Sequence, residues 1–335
     1  MKSSPSSTTS GTGHGRLSGR RPQALTQTET KTATVKANAK INLGLRILAK
    51  RPDGFHELRT VFQTISLADN LTIAYTPSRK ISITLEGMPD VPDNLATRAA
   101  QAILKEMRTG GIVHIQIEKR IPMGAGLGGG SSNAAAILLT LPVLAGRAIP
   151  LSKLLSLAAP LGSDVPFFLI GGTTLGLGRG EELYPLEDYP TLSGVLLTPG
   201  IHVSTPEAFR ALSPSLTDPE QKKQSFQESI RQPLASPLVN DFESVVFPQH
   251  PRLKALKHSL LKQGAAQALM SGSGSAIFGL FNRKETLASV VQSEKGESAI
   301  AISLLTRSRY RSQWKKCLQP HTQGDLWPPR SLYAQ

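Results

Sequence analysis

The chain has 335 residues, of which 39% are hydrophobic, 19% are charged and one, Cys317, is a cysteine. This is a globular composition, long enough for two ordinary domains, and it excludes a disulfide framework and a cysteine-based metal cluster. The formal charge of +14 is mostly terminal: residues 1–36 carry six cations against Glu29 and residues 307–335 carry six against Asp325, a net of +5 at each end that leaves about +4 for the centre. So small a central excess suits a site for phosphorylated ligands and does not demand a nucleic-acid surface, so a polynucleotide partner is not expected. Pro142, Pro150 and Pro160 interrupt the best apolar run. A helical membrane span is therefore not expected, nothing resembles a secretory signal, and the chain reads as soluble and cytoplasmic, with its oligomeric state open.

Residues 1–31 are rich in Ser, Thr, Gly and Arg without an apolar period. They read as a disordered basic extension, and the same composition suits a short organelle transit peptide. Thr32 to Leu48 alternates as a strand, the turn Arg51-Pro52-Asp53-Gly54 follows, and Phe62 to Ala74 and Ile81 to Leu85 are further strands. Asn94 to Met107 repeats its apolar residues at helical spacing, whereas Val113, Ile115 and Ile117 alternate with polar residues as a strand with one buried face. Ser131 to Leu144 opens on good cap residues and is predicted helical, with Pro142 expected to kink or end it. A short helix over Ser152 to Ala159 leads to strands at Phe167 to Gly172 and Gly194 to Thr198. Ser213 to Ser236 is polar, with several prolines in and beside it, and reads as a mobile connection or insertion. Arg252 to Gln263 is an amphipathic helix, a second glycine-serine loop spans Ser271 to Ser275, and Ala276 to Phe281 is a strand. Beyond Tyr310 the sequence reads as a basic, proline-containing tail. Helices and strands mix without a βαβ rhythm, so the fold class is α+β. The expected division is an extension over 1–31, a first domain over 32–190, a second over 191–312 and a tail over 313–335.

The most informative stretch is Pro122-Met123-Gly124-Ala125-Gly126-Leu127-Gly128-Gly129-Gly130-Ser131-Ser132. Its glycines let the backbone approach a ligand closely and turn N–H groups toward it, and the helix that follows adds its own unsatisfied N–H groups and dipole. That combination suits a triphosphate, with Ser131 and Ser132 as hydroxyl donors to phosphate or as Mg²⁺ ligands. Gly124, Gly126 and Gly129 also satisfy G-x-G-x-x-G, but the preceding strand has a polar face and no Asp or Glu occurs between Gly128 and Pro160, where a dinucleotide site needs a ribose-binding acid. No Lys follows the last glycine, so the loop is not a Walker A motif either. Replacing Gly126 or Gly128 with Val is expected to block phosphate approach and leave the fold largely intact.

The loop resembles the ATP-binding motif of the kinase superfamily that contains galactokinase, homoserine kinase, mevalonate kinase and phosphomevalonate kinase. Ala39-Lys40-Ile41-Asn42-Leu43 and Arg51-Pro52-Asp53-Gly54-Phe55-His56-Glu57-Leu58 narrow the resemblance to the family of 4-diphosphocytidyl-2-C-methyl-D-erythritol kinases. So do Asp93-Asn94-Leu95, Gly162-Ser163-Asp164-Val165-Pro166-Phe167-Phe168, Gly178-Arg179-Gly180-Glu181, Asn240-Asp241 and the loop from Ser271 to Ser275. The blocks run in family order over residues 33 to 312.

The resemblance implies an N-terminal domain of the ribosomal-protein-S5-like type, a C-terminal ferredoxin-like domain and an active site between them. It implies ATP and Mg²⁺ as cofactors and phosphorylation of the 2-hydroxyl of 4-(cytidine 5′-diphospho)-2-C-methyl-D-erythritol, in the non-mevalonate route to isoprenoids. Asp164 would be the general base and Lys40 its charged partner. Phe55 and His56 would recognise cytosine, Phe55 standing where the family usually has Tyr; Asn42 and Thr205 would lie near the substrate, and Asn94 and Lys119 near the adenosine. The resemblance assigns no metal ligands. On the residues alone, Asp164 reads as a helix cap or turn residue, Lys40 as a solvated strand residue, and Phe55-His56 as a hydrophobic staple beside a surface histidine. A kinase of the same superfamily acting on another small alcohol, and a nucleotide-binding protein without catalysis, are the alternatives.

Overall fold

A computed structural model of the chain describes residues 29–89, 93–190, 192–216, 218–231, 237–282, 286–293 and 298–322. Most of the expected N-terminal extension and the end of the expected tail lie outside the described residues. Two long strands, β1 (Lys31–Lys50) and β2 (His56–Pro77), form an antiparallel hairpin at the centre. β2 also pairs with β4 (Gly111–Glu118) and β5 (Thr173–Leu177); β3 (Ile81–Glu86) joins β4 in parallel, and β6 (Glu182–Pro185) closes the other edge. A second, antiparallel sheet runs β10-β7-β9-β8, from β7 (Ser193–Thr198), β8 (Gln267–Met270), β9 (Ile277–Phe281) and β10 (Ser298–Ser303). Two sheets with helices packed on them make the α+β class expected from the sequence.

β1 is buried on both faces through its middle, and its register explains how. Ala33, Val35 and Ala37 enter the core of the first sheet, with α1 (Leu95–Glu106) and α2 (Gly129–Leu144). A register shift between Asn38 and Lys40 then re-aims the strand, so that Ala39, Ile41 and Leu43 enter a different cluster, shared with Phe278 and Leu280 of β9. A second shift lies between Asn42 and Leu45. Bulges are devices for re-aiming a side chain, and this pair brackets Lys40 and Asn42. α2 is buried almost all round, which accounts for its lack of a polar face. Pro142 falls in its last turn, where the helix continues to Leu144.

Three expectations are corrected. Val165–Ile170 is a short helix, α4, and not a strand: Pro166 sits in its first turn, Gly171 ends it at φ +67°, and all six residues are buried. A short, wholly apolar run cannot be assigned to helix or strand by periodicity, and here the proline at the start decides. The stretch from Ser213 to Ser236 holds a helix, α6 (Pro219–Arg231), anchored by buried Phe226, so its described part is not a loose connection. The basic segment beyond Tyr310 continues a helix, α10 (Arg307–Leu318), which buries Tyr310, Trp314 and Leu318 in the core of the first sheet. The Tyr310 hydroxyl donates to the carbonyl of Phe168 at 2.6 Å, and a Cβ on Gly171 would lie 2.2 Å from the Tyr310 ring. A sparse apolar set at one helix face, surrounded by Lys and Arg, hides this docking from composition.

Candidate active site

Lys40 leaves β1 between the two bulges and is almost fully buried, contrary to the solvated strand residue its surroundings in sequence suggest. Its Nζ donates to Asn42 Oδ1 at 2.7 Å, Asn42 Nδ2 donates to Thr60 Oγ1 at 2.7 Å, and Thr60 donates to the carbonyl of Gly44 at 2.7 Å. The same Nζ lies 3.5 Å from Asp164 Oδ2 and 5.5 Å from the centre of the Phe62 ring. A buried ammonium has to be neutralised or hydrogen-bonded; the Asp164 carboxylate does the first and Asn42 the second. Asp164 occupies the N-cap position of α4 but its side chain makes no capping bond. The carboxylate is turned to Lys40 instead.

Two glycine loops meet beside this pair. Gly126 and Gly128 adopt φ of +77° and +70°, and a Cβ on Gly126 would lie 2.1 Å from the carbonyl oxygen of Ser271. A Cβ on Gly128 would meet the Phe168 ring at 2.8 Å and Lys40 Cγ at 3.2 Å. Ser271 Oγ donates to the Gly126 carbonyl at 3.0 Å, and the N–H of Ala276 to that of Ala125 at 3.2 Å. Asn240 Nδ2 reaches the carbonyls of Met270 and Gly272 at 2.8 and 2.7 Å, which clamps the second loop from behind. Gly126 is therefore required for loop-on-loop packing and Gly128 for close packing against Phe168 and Lys40, so the expectation that valine at either position leaves the fold largely intact is corrected.

The opposite wall comes from the β1–β2 turn and from α5 (Thr205–Leu212). Phe55 is 50% exposed and lies 4.5 Å below the Arg179 guanidinium, which Glu181 holds at 3.0 Å. His56 stacks on Phe209 with centroids 4.5 Å apart and planes 19° apart. Burial first, then the charge of Lys50, lowers the proton affinity of His56 below the ordinary histidine range. Thr205 and Phe209 of α5 and its C-cap residue Ser213 recur every fourth residue, so the same face presents all three to one cavity. Thr205 Oγ1 and Ser273 Oγ are hydrogen-bonded at 2.6 Å, which ties α5 to the second glycine loop.

The space between these walls has a volume of about 550 Å³. Lys40, Asn42 and Asp164 lie on its wall with Gly126 and Gly128, and Phe55, His56 and Thr205 also line it. Asp164 is the one carboxylate among the described lining residues.

Residues 94–172 match the model of the GHMP kinases N terminal domain and residues 220–295 that of the GHMP kinases C terminal. The chain is 51% identical over 300 residues to the 4-diphosphocytidyl-2-C-methyl-D-erythritol kinase of Solibacter usitatus (strain Ellin6076), spanning 88% of this chain and 95% of that one. The chain belongs to this kinase family. The similarly named enzyme of Geobacter sp. (strain M21) is 40% identical over 78% of this chain and 95% of its own. Among solved structures, a 4-(cytidine 5′-diphospho)-2C-methyl-D-erythritol kinase superposes with a TM-score of 0.70 at 38% identity, covering 81% of this chain and 98% of that chain. A homoserine kinase from Cytophaga hutchinsonii, at 18% identity, 85% and 96% coverage and a TM-score of 0.61, shares the fold.

In this 4-diphosphocytidyl-2-C-methyl-D-erythritol kinase family member the remaining residues singled out from sequence sit around the loop, away from the lining of that cavity. Asn94 caps α1, its Oδ1 accepting from the N–H of Ala96 at 2.9 Å. Lys119 Nζ is 2.6 Å from the fully buried Asp69 carboxylate, and a Cβ on Gly129 would lie 3.2 Å from that Nζ, so Lys119 borders the start of α2. Pro122 and Gly124 carry the backbone into the loop, Met123 is 65% exposed, and Ala125 and Leu127 are buried, with the Leu127 carbonyl accepting from the N–H of Lys40 at 3.0 Å. Gly130 is open to a Cβ, whose nearest neighbour would be Leu95 at 3.7 Å. Ser132 is buried and its hydroxyl donates to the Asn38 carbonyl at 2.7 Å, so its proton is not free for a phosphate. Ser131 lies at the turn that carries Asp164, its Oγ 3.9 Å from where a Gly162 Cβ would stand. Phe209, Ser213 and the placement of Arg179 over Phe55 went unread in the sequence. The four-residue period from Thr205 was the available signal for the first two; nothing local points to the third. No helix among the described residues is long and apolar enough to cross a membrane.

Proposed function

We propose that the chain transfers the γ-phosphoryl group of ATP to the 2-hydroxyl of 4-(cytidine 5′-diphospho)-2-C-methyl-D-erythritol, a step of the non-mevalonate route to isoprenoids. The observation that carries this reading is the Lys40–Asp164 pair set in one cavity between glycine loops and an aromatic wall. The nucleotide lies along Pro122 to Ser132, with Asn94 and Lys119 flanking its adenosine side, and the cytidine end lies at Phe55, His56 and Thr205. Asp164 takes the proton of the attacking hydroxyl. Lys40, held by Asn42, keeps that carboxylate in place and offsets the charge that builds on the transferring group. Phosphoryl transfer depends on alignment and charge neutralisation more than on covalent help, which suits a site of fixed cations and backbone N–H groups.

No cluster of three or more His, Cys, Asp or Glu among the described residues could hold a metal ion by itself. Mg²⁺ is commonly carried in on phosphates with one or two protein oxygens, and Ser131, whose hydroxyl stands at the start of α2, is the residue whose oxygen would hold it. When bound, it neutralises the β- and γ-phosphate oxygens. The test is a coupled assay of ADP release with ATP and the cytidine substrate, beside mevalonate and homoserine. Turnover with the cytidine substrate alone is expected. Turnover of mevalonate or homoserine in its place would sink the reading.

A further inference from the structure

The Ser213 hydroxyl is engaged on two sides. Its oxygen lies 2.8 Å from the carbonyl oxygen of Phe209 and 2.9 Å from His56 Nε2. The hydroxyl donates to the Phe209 carbonyl, beside the bond that carbonyl takes from the Ser213 N–H, and a serine has one proton to give. Toward His56 the serine oxygen presents lone pairs, and the 2.9 Å contact is a hydrogen bond only if Nε2 carries a proton. Burial and Lys50 favour the neutral ring, which holds a single N–H. Nδ1 is then bare, an acceptor on a side chain that lines the cavity, and the stack on Phe209 restrains the plane of the ring.

We propose that Ser213 is a positioning residue for base choice: by holding His56 as its Nε2–H tautomer it leaves Nδ1 to accept from the exocyclic amino group of cytosine and to reject the carbonyl that uracil carries at the same place. This rests on the reading that the cytidine end of the substrate binds beside His56. Cytosine and uracil are nearly identical in shape, so apolar walls do not separate them, and discrimination needs a polar mismatch. An acceptor facing the uracil carbonyl opposes two lone pairs and leaves both without a donor. A histidine free to exchange tautomers would satisfy either base. The serine makes the ring selective.

Two-bond ¹H–¹⁵N correlation spectra of the free full-length enzyme read the tautomer directly, with His56 assigned by its loss in H56Q. A single Nε2–H form is expected in the wild type, a mixture in S213A, and recovery in S213T. A wild-type ring protonated at Nδ1, or an S213A ring identical to wild type, would overturn the proposal whatever the substrate. In kinetics, S213A is expected to raise KM for the cytidine substrate about tenfold and to lose most of its preference over the uridine counterpart, with KM for ATP unmoved and S213T restoring both. An unchanged preference in S213A overturns the proposal as well. A wild type that turns over neither nucleotide substrate overturns the functional reading and the base-choice role with it, while the spectra decide separately whether Ser213 sets the tautomer.

Discussion

Lys40 Nζ stands 3.5 Å from the Asp164 carboxylate, the lysine side chain 4% exposed and the aspartate side chain 32%. One partner is locked into the protein and the other remains open to the cavity. That asymmetry suits a proton acceptor that has to meet a substrate beside a cation that has to stay put. Asp164→Asn is expected to lower kcat by about 10²–10⁴-fold with ATP still bound. Lys40→Ala should fall steeply too, and the double variant should lose much less than the product of the two, because the residues act as one unit. Near-normal turnover in Asp164→Asn, measured at saturating substrates, would reduce Asp164 to a turn residue.

Asn42 is the acceptor that makes a buried lysine tolerable. Asn42→Ala removes the 2.7 Å bond from Lys40 and the 2.7 Å bond to Thr60. A cost of about 1–3 kcal/mol in unfolding free energy is expected, together with a lower kcat. Chemical denaturation beside the assay checks both, and an unchanged midpoint would show that the chain of hydrogen bonds is dispensable.

Phe55→Ala should remove a stacking surface of about 1–3 kcal/mol, equivalent to roughly 5- to 150-fold in KM for the cytidine substrate. ATP kinetics should hardly move. Equal damage to both substrates would make Phe55 a structural contact of Arg179.

The histidine gives a pH signature with a defined sign. Folding depresses the affinity of His56 for a proton, through burial first and Lys50 second. As pH falls below the ordinary histidine value of about 6.5, the unfolded chain takes up that proton before the folded one does. The contribution of the neutral ring is therefore present at higher pH and is lost as pH falls through the folded-state value. H56Q should flatten the acid limb of a plot of melting temperature against pH in that window. Identical acid limbs would show that His56 does not titrate differently on folding.

The last prediction separates glycines that look alike in sequence. Gly126→Ala puts a Cβ 2.1 Å from the Ser271 carbonyl at a φ of +77°, and a loss of at least about 1–3 kcal/mol is expected. Gly130→Ala lies in a helix with room for the methyl, its nearest neighbour 3.7 Å away, and should hold or raise stability by about 0.5–1 kcal/mol. Calorimetric melting of the two variants tests the contrast, and equal melting points would contradict the loop-on-loop packing.

Much of the molecule was legible from short windows of sequence. The alternation in β1 and β4, the helical spacing from Asn94 through α1 and the density of glycine from Gly124 to Gly130 are each written within about a dozen residues, because strand pleat, helix period and turn chemistry are local. Windows of that size failed where burial removed the pattern, as in the apolar run Val165–Ile170, or where basic surroundings masked a buried stripe, as in α10. The site belongs to a different level. Nothing near Lys40 in sequence says that it is buried or that Asp164 is its neighbour; only the bulges that re-aim β1 and the packing of α4 under α2 bring them together. Phe55 meets Arg179, and His56 meets Phe209 and Ser213, across elements that share no local signal. The sequence by itself determined many of the strands and helices and the chemistry available to them. The tertiary structure decided which of those groups face one another, because contacts between distant elements follow from how buried faces pack and not from any spacing along the chain.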